Sequence, residues 1–110
     1  MSAFTLQEVL EATGGELHQF VATEMVKDPS MFQLNGVSSD TRTIEEGILY
    51  LALIGEKFDG NKFAVAAVED GAKALLLSSM EDAPEDVPVV LVKDTKLALE
   101  QLATYYRKRL

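Results

Sequence analysis

The chain has 110 residues, with 10 basic and 18 acidic side chains for a net charge of -8, and no cysteine. That length fits one domain, residues 1–110, able to bury a core unaided, and the missing cysteines exclude disulfides, thiolate metal sites and cysteine nucleophiles. The acidic balance argues against nucleic acid and anionic membrane, which are bound through basic surface, and no run approaches the roughly 20 apolar residues of a membrane span.

The start, Met1-Ser2-Ala3-Phe4-Thr5, lacks a basic segment leading into an apolar one, so no signal peptide is expected. Thr5 and Glu8 have capping-box spacing, and Phe4 with Val9 has the spacing of a hydrophobic staple. They predict a first helix with Leu6, Val9, Leu10 and Thr13 on one face, stopped by Gly14-Gly15. A short strand over residues 16–20 follows. Residues 22–30 read as turn, with a break at Asp28-Pro29.

Residues 32–37 alternate loosely and predict a strand leading into Ser38-Ser39-Asp40-Thr41-Arg42. The apolar run over residues 48–54, flanked by Gly47 and Gly55, predicts a strand buried on both faces. Asp59-Gly60 turns the chain into a helix over residues 61–70, where Phe63 with Ala67 and Ala64 with Val68 are four apart. Residues 73–77 form the next strand, completing a right-handed βαβ unit. Residues 80–87 form an acidic surface loop and residues 88–92 a further strand. Asp94 or Thr95 caps a last helix with Leu99, Leu102, Ala103 and Tyr106 as its apolar stripe, and Arg107, Lys108 and Arg109 suit its negative end. The expected architecture is α/β: a three-layer domain with a mixed, mainly parallel sheet and flanking helices.

Little in this pattern is catalytic. His18 is the sole histidine and lacks triad or metal-shell partners in the sequence around it. The acidic pairs Glu45-Glu46 and Glu69-Asp70 fall where solvated faces belong, whereas acid–base pairs need burial to split their pKa values. No G-x-x-x-x-G-K-[ST] occurs, so no ATP-cradling loop is expected in these residues. Gly14-Gly15 ends a helix and does not open one, so it is not read as a phosphate loop. No catalytic residue and no metal ligand is assigned.

Two loops carry more information. Ser38-Ser39-Asp40-Thr41-Arg42 gathers hydroxyls, a carboxylate and a guanidinium. Gly55-Glu56-Lys57-Phe58-Asp59-Gly60 combines a lysine, an aromatic face and a turn into a helix N-terminus, a natural anion site. Each follows a predicted strand, where α/β sheets dock ligands. Arg42, Lys57, Lys62 and the helix dipole are expected to offset the global negative charge within a Debye length of roughly 8 Å. A purely structural role is open for both: Asp40 and Arg42 can tie down a loop, and Asp59-Gly60 is a common turn pair.

Taken in order, S-S-D-T-R, then E-E-G-I-L-Y-L-A-L-I-G-E-K-F-D-G, then E-D-G-A-K-A-L-L-L-S resemble the N-terminal domain of the Mur ligases, which extend UDP-N-acetylmuramoyl peptides. The similarity runs over essentially the whole chain. Its ending, V-K-D-T-K-L-A-L-E-Q-L-A-T-Y-Y-R, is more similar to the branch that adds D-alanyl-D-alanine; the branch adding the third peptide residue is the alternative. The resemblance implies a cytoplasmic ligase domain that holds the UDP end of the UDP-N-acetylmuramoyl peptide. Ser39 and Thr41 would contact the uridine end, Glu56, Lys57 and Phe58 would line its other side, and Arg42 would orient the loop or approach the diphosphate. ATP and magnesium would be handled by the remaining ligase domains in cis, with no cofactor in this one. The chain stops about where such a central domain would begin. The family pattern has histidine after Asp-Gly, where this chain has Asn61; asparagine can still cap the helix. A reading from another class is a stand-alone interaction module using the acidic surface and the Tyr105-Tyr106 helix. A small hydrolase fails for want of nucleophile–base pairs.

Overall fold

A computed structural model describes residues 4–109, the Arg109 side chain excepted; Met1 to Ala3 and the Arg109 charge lie outside the described residues. The chain opens with a two-residue strand β1 (Phe4–Thr5) that feeds helix α1 (Leu6–Thr13) through the expected capping box. The Glu8 amide donates to Thr5 Oγ1 at 3.1 Å and the Thr5 amide donates to Glu8 Oε1 at 2.9 Å, which satisfies two donors that helix geometry leaves unpaired. Gly14 ends the helix at φ 69°, where a side chain would be strained.

Five strands form the main sheet: β2 (Glu16–His18), β4 (Val37–Ser38), β5 (Leu49–Leu51), β8 (Ala74–Leu77) and β9 (Val89–Leu91). Their order is β2-β9-β8-β5-β4. The pairs β4–β5, β5–β8 and β8–β9 are parallel, and only the edge strand β2 runs antiparallel, to β9. Side chains alternate between the two faces, as the pleat requires. Leu49, Leu51, Leu76 and Val90 pack with Leu6 and Val9 of α1 and with Ala98 and Leu102 of the last helix, α3 (Thr95–Arg109). Tyr50, Leu75, Leu77 and Val89 pack on the other face with Ala64 and Ala67 of α2 (Ala64–Glu69). Two cores on one sheet give the three-layer α/β domain that the sequence predicts.

Several boundaries differ from the sequence reading. The single strand expected over residues 32–37 is two: β3 (Gln33–Leu34), which pairs with β1 in a separate ribbon, and β4 in the main sheet. Asn35 makes the step between them, its amide donating to the Gly47 carbonyl at 3.0 Å and its side chain to the Glu46 carbonyl at 3.2 Å. The apolar run over residues 48–54 is likewise two elements. After β5 the chain leaves the sheet, and β6 (Ile54–Gly55) pairs antiparallel with β7 (Phe58–Asp59) as a hairpin turning at Glu56-Lys57. Ile54 is exposed there, so the run was not one buried strand.

The helix expected over residues 61–70 begins as a 3-10 turn (Gly60–Phe63) and becomes α-helical only at Ala64. Phe63 is exposed and does not share the buried face of Ala67. On α3 Leu102 is buried and Tyr106 packs on the core as expected, but Leu99 and Ala103 face outward and Thr95 and Ala98 are buried instead. The loop over residues 80–87 is acidic and irregular but not wholly superficial: Val87 is buried, and Met80 and Ala83 pack on the α2-side core. This loop carries the β8–β9 crossover without a helix, so its apolar side chains cover sheet that a helix would otherwise cover.

Candidate functional site

The carboxyl ends of the parallel strands β4, β5, β8 and β9 lie along one edge of the sheet, and both informative loops emerge there. The first loop is held by its own side chains. Asp40 Oδ1 accepts from the Arg42 amide at 2.8 Å and caps a 3-10 turn (Thr41–Thr43). Arg42 folds back so that Nη2 donates to Asp40 Oδ2 at 2.8 Å and Nε reaches the two oxygens at 3.1 and 3.2 Å. Ser38 Oγ accepts from the Asp40 amide at 3.2 Å and lies 3.0 Å from the Thr43 hydroxyl. The Arg42 hydrogen bonds hold the Asp40 carboxyl down at about 2, and Asp40 in turn pushes the guanidinium up.

Ser38, Asp40 and Thr43 are engaged within the loop, whereas among the described residues neither the Ser39 nor the Thr41 hydroxyl has a hydrogen-bond partner. Ser39 and Thr41 face a cavity of about 420 Å³ lined also by Asp40, Arg42, Tyr50, Phe58 and Phe63. Phe58, on the hairpin, and Phe63, at the end of the 3-10 turn, stack with ring centroids 5.4 Å apart and planes 16° from parallel. Phe58 is 47% and Phe63 41% exposed. Two adjacent large aromatic rings are thus left partly open to water.

The platform is anchored from below. The Tyr50 hydroxyl, buried in the sheet, donates to the Gly60 carbonyl at 2.9 Å. Burial first, then the charges of Asp40 and Asp59, push the Tyr50 phenol up, so it stays a neutral donor. The Gly60 amide donates to the Leu53 carbonyl at 2.8 Å, and the approach is so close that a Cβ at Gly60 would sit 2.6 Å from that oxygen. Asn61 is 3% exposed and fully engaged: Nδ2 donates to Asp59 Oδ1 at 3.0 Å and to Ser78 Oγ at 2.9 Å, and Oδ1 accepts from the Ser78 amide at 3.0 Å.

Of the six residues singled out from sequence, the fold brings Ser39, Thr41, Arg42 and Phe58 to one cavity. Glu56 and Lys57 line an adjoining concavity of about 430 Å³, which shares Phe58 and Phe63 with the first and also includes Lys62. Two electrostatic expectations fail. The helix N-terminus is not open to an anion, because Asp59 Oδ1 already accepts from the Asn61 amide at 2.9 Å; Asp59, not Asn61, is the cap. Nor is there a local excess of positive charge: Arg42 is paired with Asp40, and Glu56 and Asp59 line the same concavity as Lys57 and Lys62.

Sequence reasoning missed Tyr50 and Phe63. A hydroxyl inside an otherwise apolar strand had to find a partner, which was the available sign for Tyr50. In the sequence Phe63 has helix-packing spacing with Ala67, and only the 3-10 start of that helix turns it outward.

Elsewhere, His18 Nε2 lies 2.8 Å from Glu16 Oε1 on the far edge strand, an ordinary partly exposed pair. Glu45, Glu46, Glu69 and Asp70 are all exposed. No group of three metal-capable side chains occurs among the described residues. No helix is long and apolar enough to cross a membrane among the described residues. The Tyr106 ring stands edge-on against Phe4, centroids 5.1 Å apart, so that tyrosine serves the domain's own core.

This arrangement can grip a planar polar heterocycle, with an aromatic floor, two hydroxyls on a braced wall and a guanidinium at the rim. The sequence profile described as "Mur ligase family, catalytic domain" matches residues 33–107. UDP-N-acetylmuramoyl-tripeptide–D-alanyl-D-alanine ligase of Escherichia coli K12 is 38% identical over 99% of this chain and 22% of its own length. The Bacillus subtilis enzyme of the same name is 44% identical over 70% of this chain and 17% of its own. The UDP-N-acetylmuramoyl-L-alanyl-D-glutamate–2,6-diaminopimelate ligase of Listeria monocytogenes is 33% identical over 83% of this chain and 18% of its own. The crystal structure of MurF from Acinetobacter baumannii superposes with a TM-score of 0.81 at 29% identity, covering 99% of this chain and 22% of that one. The chain thus spans about a fifth of the length of the relatives it matches. It belongs to the Mur ligase family, and within that family it is most like the ligases that add D-alanyl-D-alanine.

Proposed function

We propose that this domain holds the UDP end of a UDP-N-acetylmuramoyl-tripeptide, for a cytoplasmic ligase that adds D-alanyl-D-alanine in peptidoglycan precursor synthesis. The observation that carries the reading is the exposed Phe58–Phe63 stack facing the hydroxyls of Ser39 and Thr41 across one cavity. A uracil ring has two flat faces and a polar edge. One face would lie on the aromatic pair while the edge meets Ser39 and Thr41. Base–aromatic stacking supplies about 1–3 kcal/mol. Arg42 at the rim would leave Asp40 to meet the diphosphate, offering a guanidinium fork suited to phosphate oxygens. Lys57 and Glu56 would flank the ribose or sugar from the adjoining concavity.

No nucleophile–base pair lines the cavity, so its residues would bind and orient while amide formation, with ATP and magnesium, belongs to the remaining ligase domains in cis. Higher identity to the D-alanyl-D-alanine-adding enzymes, 38% and 44% against 33% for the third-residue ligase, favours the former as parent.

The test is an NMR titration of the labelled domain with the UDP-N-acetylmuramoyl peptide, with uridine-free peptide as control. Binding at high-micromolar to millimolar level, about 4–6 kcal/mol, with shifts centred on residues 38–42 and 54–63, is expected. Equal shifts from the uridine-free peptide would sink the nucleotide reading.

A further inference from the structure

We infer that Asn61 is a positioning residue: its carboxamide ties the Asp59 turn to Ser78 of the neighbouring strand end and so fixes where Phe63 presents its ring to Phe58 and to the ligand. This rests on the nucleotide reading for its functional consequence but not for its structural content.

Asn61 is one of two buried polar residues among those described. A buried carboxamide without partners is costly, so one placed here needs its hydrogen bonds satisfied. Both of its ends are used. The NH₂ bridges Asp59 Oδ1 and Ser78 Oγ, and the carbonyl takes the Ser78 backbone amide. Ser78 lies directly after β8 and is 17 residues away in sequence, so the side chain spans from one parallel strand's exit loop to the next. The turn it fixes also carries Gly60, held by Tyr50 and by Leu53, and ends at Phe63. Phe63 is 41% exposed and stacks on Phe58, so its ring is only partly enclosed by the domain. Its orientation therefore depends on the backbone of the turn.

The role depends on Asn61 donating and accepting at once. Aspartate has nearly the same shape but, when ionised, only accepts, and it would stand against the Asp59 carboxylate. Two carboxylates sharing one site raise the pKa of one of them, so protonation would restore a donor. The titratable groups around the position are Asp59 on its own turn, the Tyr50 phenol from β5 and, at longer range, Asp40 from the adjacent loop. Ser78 from β8 does not titrate.

The experiment compares wild type, Asn61→Asp and Ser78→Ala, each shown folded, by two readouts at about pH 7.5 and again below the titration midpoint of the introduced carboxyl, located by ¹³C titration of the variant. One is the set of Phe58–Phe63 ring-to-ring NOEs without ligand. The other is affinity for UDP-N-acetylglucosamine, a diphosphate diester whose charge is constant over this range. Asn61→Asp is expected to lose the NOEs and about tenfold in affinity at the higher pH, and to regain most of both at the lower, as a broken buried hydrogen bond is remade. Ser78→Ala, which keeps the backbone link, is expected to lose about twofold to threefold without pH dependence, the weight of one weaker hydrogen bond. Unchanged NOEs in Asn61→Asp at the higher pH, or a loss identical at both, would overturn the inference. Failure of wild type to bind the UDP-sugar at all would count against the nucleotide reading instead, and the NOEs would still decide the role of Asn61.

Discussion

Asp40 and Arg42, two residues apart, form a closed ring of interactions: the carboxylate accepts the Arg42 backbone amide and three guanidinium contacts between 2.8 and 3.2 Å. Capping and ion pairing thus converge on one side chain, which sets the shape of the loop carrying Ser39 and Thr41.

The first expectation concerns pH. Asp40 is held down to about 2, mainly by the Arg42 side chain and then by its backbone amide. A depressed carboxyl contributes stability that is present above its unfolded value near 3.8 and is lost as pH falls through the folded one. Loop amide resonances over residues 38–43 should therefore stay put from neutral pH to about pH 4 and move only as the pH nears 2. A ¹³C carboxyl titration of Asp40 checks this directly; a midpoint close to that of a free aspartate would show that the ring is open in solution.

Phe58→Ala and Phe63→Ala should separate binding from stability. Both rings are exposed, so each substitution should change folding stability by less than about 1 kcal/mol. Each should weaken binding of the UDP-linked peptide by about 1–2 kcal/mol, roughly tenfold, through lost stacking. Urea unfolding and the NMR titration give the two numbers, and a large stability loss with unchanged affinity would reverse the assignment.

At Gly60 the limit is space. A Cβ there meets the Leu53 carbonyl oxygen at 2.6 Å and its amide nitrogen at 2.8 Å, both backbone atoms that cannot swing aside. Gly60→Ala should cost about 1–3 kcal/mol, the range for overpacking a rigid site. Tyr50→Phe should cost about the same, because it strands the buried Gly60 carbonyl. Wild-type denaturation midpoints for both would mean that the turn can relax away from β5.

The phase of α3 can be read by two leucines. Leu102 is 3% exposed in the core under the sheet, whereas Leu99 is 37% exposed. Leu102→Ala should destabilise by about 2–5 kcal/mol, and Leu99→Ala should stay within about 0.5 kcal/mol. Comparable losses at both would restore the stripe read from sequence.

The sequence by itself determined the class of fold and pointed to the neighbourhood of the candidate site. Thr5 with Glu8 fixed the start of α1, since capping is a contact between residues three apart. The apolar runs at Leu49–Leu51, Ala74–Leu77 and Val89–Leu91 located three parallel strands because strands buried on both faces have few polar choices. Loops after such strands were a reason to look at residues 38–42 and 55–60, and the family resemblance singled out Ser39, Thr41, Arg42 and Phe58, which line one cavity.

Tertiary structure alone decided the rest. Residues 48–54 are uniformly apolar yet belong to two elements, and periodicity cannot show where a chain leaves a sheet. Leu99 and Ala98 compete for the same helix face, and only the position of the sheet beneath α3 selects Ala98. The sequence suggested a helix N-terminus open to anions, but the Asp59 side chain folds back to fill it. Asn61, Tyr50 and Phe63 acquired their roles through partners or neighbours across strand exits, such as Ser78, 17 residues from Asn61. Contacts of that range are set by how sheet and helices pack, which local spacing does not encode.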